Sequence, residues 1–148
     1  MTLVCIDDDV KIQEDAFFDD IEDEVAEIKF FSDPKLGLEY LRLNLDKNLV
    51  VLLDWRFNNS INDGEFFIQK IYEVSSLIPV IVFTGADINV NETAKMFGGH
   101  AFFCLPKVAS VDEMRKVVRN AYVRTQSDIR SVIERWILLQ DEERRNKP

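Results

Sequence analysis

Histidine, cysteine, glycine and proline are all scarce in this chain, and each shortage removes a class of function. One histidine and two cysteines 99 positions apart, Cys5 and Cys104, cannot supply a His/Cys zinc site. Each cysteine sits inside a short apolar run, as expected of a buried reduced thiol rather than a disulfide. A Cys–His nucleophile pair of Cys104 with His100 lacks a recognisable third, orienting group. Five glycines and four prolines leave no flexible linker and no low-complexity tract among the 148 residues. Apolar runs stay far below the roughly 18–20 residues that span a bilayer. The first of them, Leu3–Ile6, is cut short by three aspartates, so it does not read as a signal peptide. A cytoplasmic, soluble protein of a reducing compartment is the expectation. Base is scarce too. With 27 acids against 18 bases the net charge is −9, which argues against general nucleic-acid binding.

What is present is a 47% apolar composition, enough for one domain with a core of its own. Five short apolar runs recur: Leu3–Ile6, Ile28–Phe31, Leu49–Leu53, Pro79–Phe83 and Ala101–Leu105. They are nearly continuous and rich in β-branched and aromatic residues, the pattern of strands buried on both faces of a parallel sheet. Helical periodicity separates them. Ile12, Ala16, Phe17 and Ile21 mark one helix face; Leu36, Tyr40, Leu41 and Leu43 or Leu45 mark a second, opened by the cap Ser32-Asp33-Pro34. Phe66, Phe67, Ile71 and Val74 mark a third, and Asn91–Phe97 a short fourth stopped by Gly98-Gly99. A fifth begins at Ser110 and runs almost to the terminus. Five strand–helix repeats predict a doubly wound α/β sheet with helices on both faces.

Ligands of such sheets bind beyond the carboxyl ends of the strands. The first run ends in Asp7-Asp8-Asp9, the third in Asp54, the fourth in Thr84-Gly85, and Lys107 follows the fifth. An isolated Asp or Thr after a strand is commonly only a helix cap, and Asp9 suits that role. Four strand ends carrying complementary chemistry together are not. Two carboxylates about 4 Å apart repel by roughly 4 kcal/mol at an effective dielectric near 20. A cation between them relieves this, and an all-oxygen set with open positions suits Mg²⁺. Lys107 can neutralise Asp54 and then contact a phosphoryl oxygen, and Thr84 offers a hydroxyl to the same oxygen.

These stretches resemble the receiver domains of two-component response regulators. The resemblance rests on Leu3-Val4-Cys5-Ile6-Asp7-Asp8-Asp9, Val50-Val51-Leu52-Leu53-Asp54, Val80-Ile81-Val82-Phe83-Thr84-Gly85 and Leu105-Pro106-Lys107. Separations of 46 residues from Asp8 to Asp54, 30 to Thr84 and 23 to Lys107 are similar to the family's. It covers residues 1–125 and implies a flavodoxin-like sheet of strand order 2-1-3-4-5. It implies further that Asp54 accepts a phosphoryl group from a sensor histidine kinase or histidine phosphotransfer protein, relaying a signal rather than turning over a substrate. Mg²⁺ would be held by Asp7, Asp8, Asp54 and the main-chain carbonyl of Arg56, with Thr84 and Lys107 engaging the phosphoryl group. Three departures stand out. The loop Arg56–Asp63 before Gly64 is about two residues longer than usual. Lys107 is followed by Val108 and preceded by Pro106, where the family usually has proline after the lysine. The aromatic switch position falls on Phe103 when counted from Gly99 but on Cys104 when counted back from Lys107; Phe103 is the preferred reading.

Two rival readings use the same residues. A phosphatase resembling the haloacid dehalogenase superfamily would take Asp7 as nucleophile and Asp9 as its acid. Lys11 occupies the place of that family's small residue, and Asp112-Glu113 opens a helix where a strand-borne acidic pair is needed. A receiver reduced to an interaction module would not need the full set of acids, hydroxyl and lysine. Trp55 reads equally as a gate over the site or as a packed loop aromatic. The acids of the first helix read as a solvated face or as a docking surface for the phosphoryl donor. Residues 126–148 read as an extension of the fifth helix. Its stripe of Ile129, Val132, Ile133 and Trp136 predicts a homodimer through a parallel partner helix; folding back, or a link to an output domain outside this sequence, are the alternatives.

Overall fold

A computed structural model describes residues 1–9, 16–22, 25–55, 63–85, 90–98 and 101–146. Within these, strands and helices alternate along the chain: β1 (Thr2–Ile6), α1 (Ala16–Ile21), β2 (Glu27–Phe31), α2 (Pro34–Leu43), β3 (Leu49–Leu53), α3 (Asp63–Val74), β4 (Val80–Thr84), α4 (Val90–Gly98), β5 (Phe103–Pro106) and α5 (Val111–Arg145). The sheet has the order β2-β1-β3-β4-β5 and every pairing is parallel. This is the doubly wound, flavodoxin-like arrangement. Strand order reverses between β1 and β3, so the carboxyl ends of those two strands flank the crevice where such sheets bind ligands.

The continuous apolar runs are explained by the layers on either side. Val4, Ile6, Val51, Leu53 and Val82 face Leu38 and Leu41 of α2, Ile68 and Ile71 of α3, and Met96 of α4. The alternate residues Leu3, Cys5, Leu52, Ile81 and Phe83 face Phe18 and Ile21 of α1, and Met114, Val118 and Ala121 of α5. Cys5 and Cys104 pack on opposite faces and both are free thiols. Burial first, and the charge of Asp7 second, push the Cys5 thiol well above its usual 9.0.

Two helix starts follow the sequence closely. Asp33 caps α2 by accepting from the Lys35 amide at 3.0 Å, with Pro34 in the first turn. Ser110 caps α5 by accepting from the Glu113 amide at 3.2 Å, and Arg144 and Arg145 complement its last turn. The buried faces differ from the periodicity in α2 and α3. Helix α2 turns Gly37, Leu38 and Leu41 inward, leaving Leu36, Leu43 and Leu45 exposed. The cause is Gly37, which lies so close to β1 that a Cβ there would stand 2.8 Å from the Ile6 side chain. In α3, Ile68 and Ile71 are fully buried while Phe66 is exposed under the Lys70 ammonium, 5.4 Å from its ring centre. Phe18 joins Ile21 as the buried pair of α1; Ile12 lies outside the described residues, as do the side chains of Ala16 and Phe17. β5 begins at Phe103, two residues later than the apolar run, because Ala101 bonds back to the Met96 carbonyl of α4 at 3.0 Å.

Candidate phosphoacceptor site

The rim at the carboxyl ends of the strands is assembled by register. Ile6 pairs with Leu53, so the next residues, Asp7 and Asp54, emerge side by side, with the Asp54 amide bonded to the Ile6 carbonyl at 2.9 Å. Thr84 pairs with Pro106, and the Lys107 amide then bonds the Thr84 carbonyl at 3.0 Å. Asp7, Asp54 and Thr84 are all buried, while Asp8 is half-buried and Asp9 exposed. Asp9 donates its amide to an Asp7 oxygen at 2.9 Å, which orients the Asp7 carboxylate from the loop side.

Charge balance at the rim centres on Lys107. Its ammonium lies 2.7 Å from an Asp7 oxygen and 3.9 Å from an Asp54 oxygen. Desolvation opposes the lysine's charge, but the bond to Asp7 and the charges of Asp54, Asp7 and Asp9 outweigh it and raise its pKa above the usual 10.5. Lys107 therefore stays cationic at neutral pH. Its stem passes over Gly85, where even an added Cβ would sit 3.7 Å away. Oxygen atoms of Asp7, Asp8 and Asp54 all lie within 4.8 Å of one another. That all-oxygen donor set has the character that Mg²⁺ selects.

Three solved structures share this architecture. The signal receiver domain of a putative Luxo repressor protein from Vibrio parahaemolyticus superposes with a TM-score of 0.73 at 16% identity, covering 90% of this chain and 96% of that one. A response regulator receiver domain protein from Clostridium thermocellum gives 0.70 at 24%, covering 84% and 96%. A CheY-like response regulator receiver domain protein from Methanospirillum hungatei JF-1 gives 0.72 at 16%, covering 86% and 97%. The chain has the receiver-domain fold. No protein-family model and no curated protein sequence matches it.

Four of the expected site residues thus meet on one rim of the receiver fold, namely Asp7, Asp8, Asp54 and Lys107, with Thr84 at the end of the neighbouring strand. Arg56 and His100 lie outside the described residues. Phe103 does not share a face with Thr84. Along β4, Val82 faces the α2–α4 layer and Phe83 the α1–α5 layer, which places Thr84 on the side of Val82. Cys104 packs on that same side, whereas the ring of Phe103 joins neither core and is exposed. Of the two positions the sequence left open for the switch, Cys104 is the one on the Thr84 face.

Trp55 is packed, with only 2% of its surface exposed, and does not stand over the rim as a gate. Its partner is Gly64, a residue the sequence reading used only as a loop marker. The Gly64 amide bonds the Trp55 carbonyl at 3.1 Å, and a Cβ on Gly64 would stand 2.3 Å from that oxygen and 2.7 Å from the indole. The first turn of α3 is thereby held against the residue that follows Asp54. The signal for this was present in the sequence as a lone glycine at the start of an apolar helix.

Proposed function

We propose that this chain is a signalling phosphoacceptor whose nucleophile is Asp54. A carboxylate oxygen of Asp54 attacks the phosphorus of a phosphohistidine on a sensor kinase or histidine phosphotransfer protein. The P–N bond breaks, the imidazole leaves with the electron pair and takes up a proton, and an aspartyl phosphate remains. Asp54 suits this role because it ends the central strand, is buried against a hydrophobic floor, and has its charge partner 3.9 Å away. Mg²⁺ fits the oxygens of Asp7, Asp8 and Asp54, with the Arg56 carbonyl as the expected main-chain ligand. When bound, the ion supplies positive charge that lets an anionic phosphoryl group approach anionic carboxylates. Lys107 then follows the new phosphoryl oxygens from its place between Asp7 and Asp54, and Thr84 donates its hydroxyl to one of them. Hydrolysis of the aspartyl phosphate returns the domain to its starting state, so the chain acts as a relay rather than a turnover enzyme. A cytoplasmic location accords with this role. Among the described residues no helix is long and apolar enough to cross a membrane.

The observation that carries this reading is the Lys107 ammonium shared by Asp7 and Asp54 at the strand-order reversal. Incubation with acetyl phosphate and Mg²⁺, followed by intact-mass measurement, is expected to show one added phosphoryl group, lost on chelation and in Asp54→Asn. Full labelling of Asp54→Asn together with loss in Asp7→Asn would transfer the nucleophile to Asp7 and favour the phosphatase-like chemistry.

A further inference from the structure

Helix α5 runs without interruption from Val111 to Arg145, and none of these 35 residues is glycine or proline. Among the described residues, the last of α5 packed on the sheet are Ala121 and Tyr122. Because α5 starts beyond the carboxyl end of β5, it runs back past the amino ends of the strands, and its 35 residues outlast the four- and five-residue strands it crosses. An unbroken helix cannot fold back, so its own domain does not cover its second half. Yet Ile133, Trp136, Ile137, Leu138 and Leu139 are all exposed, Trp136 by 61%. From the sequence, Ile129, Val132, Trp136 and Leu139 are spaced three, four and three apart, the heptad seam of a coiled coil.

Charge identifies what covers the seam. Residues 1–125 carry 22 acids and 13 bases, the whole of the net excess of nine, whereas residues 126–148 carry five of each. The net acidic excess that opposes association thus lies outside this stretch. Its balanced polar face also lacks the basic excess that an anionic membrane surface requires. Within the stretch one pair of opposite charges favours an antiparallel arrangement. With Trp136 and Leu139 at core positions, Arg135 and Glu142 flank the seam one heptad apart. In a parallel pair, Glu143 would stand against Glu143 and Trp136 against Trp136. In an antiparallel pair that seats Trp136 opposite Leu139, Arg135 meets Glu142 of the second copy, and the two-fold axis repeats the contact.

We propose that residues 126–146 form an antiparallel two-stranded coiled coil with a second copy of this chain, closed by reciprocal Arg135–Glu142 pairs. The orientation differs from the parallel one that the apolar stripe alone suggested. The two domains then sit at opposite ends of the rod, each with its acidic rim turned away from the coil.

Sedimentation equilibrium of the full chain across the micromolar range tests this without any phosphoryl donor, so the result stands whether or not Asp54 is the nucleophile. Wild type is expected to show twice the chain mass with a measurable dissociation constant. Trp136→Glu, at a position exposed in the single chain, is expected to be monomeric with unchanged unfolding of its domain. Arg135→Glu and Glu142→Arg are each expected to weaken association by roughly tenfold, and the double swap to restore it. A monomeric wild type, a trimer or larger assembly, or a Trp136→Glu dimer overturns the interface. Failure of the double swap to restore association overturns the antiparallel arrangement.

Discussion

Lys107 shows how one residue balances the rim. It is the cation nearest to both Asp7 and Asp54 among the described residues, so its charge competes with that of a metal held by the same carboxylates. Its removal is therefore expected to leave Mg²⁺ affinity equal or higher in Lys107→Ala, measured by titration calorimetry; a large loss of affinity would contradict its place beside Asp54. The sign of its pH dependence is also fixed. A lysine whose folded pKa is raised contributes stability that is complete below the ordinary 10.5 and is lost as pH climbs through the higher folded value. The stability difference between wild type and Lys107→Met is thus expected to be flat between about pH 6 and 9 in its lysine-dependent part and to shrink only in strong alkali. At this scale much of the site was legible, because Asp7, Asp54, Thr84 and Lys107 each end or follow an apolar run that could only be a buried strand. Phe103 was not legible. A strand start that slips by one residue moves a side chain to the opposite face, and that start is fixed by long-range bonds, from Ala101 to Met96 and from Phe102 to Val80.

Helix faces were harder to read than strands. Periodicity in α2 pointed to Leu36 and Leu43, yet the closest approach to the sheet is made by a residue with no side chain, Gly37. A hydrophobic pattern cannot register a contact whose signal is an absent Cβ. Gly64 makes the same point with greater consequence. Adding a methyl group there drives it into the backbone of Trp55, one residue from Asp54, and backbone cannot yield as a side-chain tip does. Gly64→Ala is expected to cost about 3 kcal/mol and to slow phosphoryl acceptance, whereas Gly37→Ala, whose tight contacts are with the Ile6 side chain, is expected to cost about 1–2 kcal/mol. Chemical denaturation of both variants beside their labelling rates checks the contrast: equal stability losses, or normal labelling in Gly64→Ala, would remove the role of α3 in holding Asp54. The caps Asp33 and Ser110 were legible because a cap is a local hydrogen bond, written within four residues.

For the molecule as a whole, the sequence pattern supported one domain to residue 125 and a helical extension beyond it. Met114, Val118 and Ala121 of α5 pack into the core face shared with α1, and among the described residues the exposed large apolar residues of α5 begin after them with Val123. Truncation after Thr125 is expected to leave a cooperatively folded domain whose circular dichroism loses helix in proportion to the removed residues. Collapse of the sheet signal on truncation would show that the extension helps hold the core.

The unbroken course of α5 has a mechanical consequence. Lys107 stands three residues before the Ser110 cap, at one end of the helix, while the bare segment begins past Ala121 at the other. A stiff rod pivoting on the sheet works as a lever. Each degree of tilt at the pivot sweeps the tip of an arm of about 30 Å through about half an ångström. Any tilt of α5 about its seat at Met114 and Val118 is thus enlarged with distance along the helix.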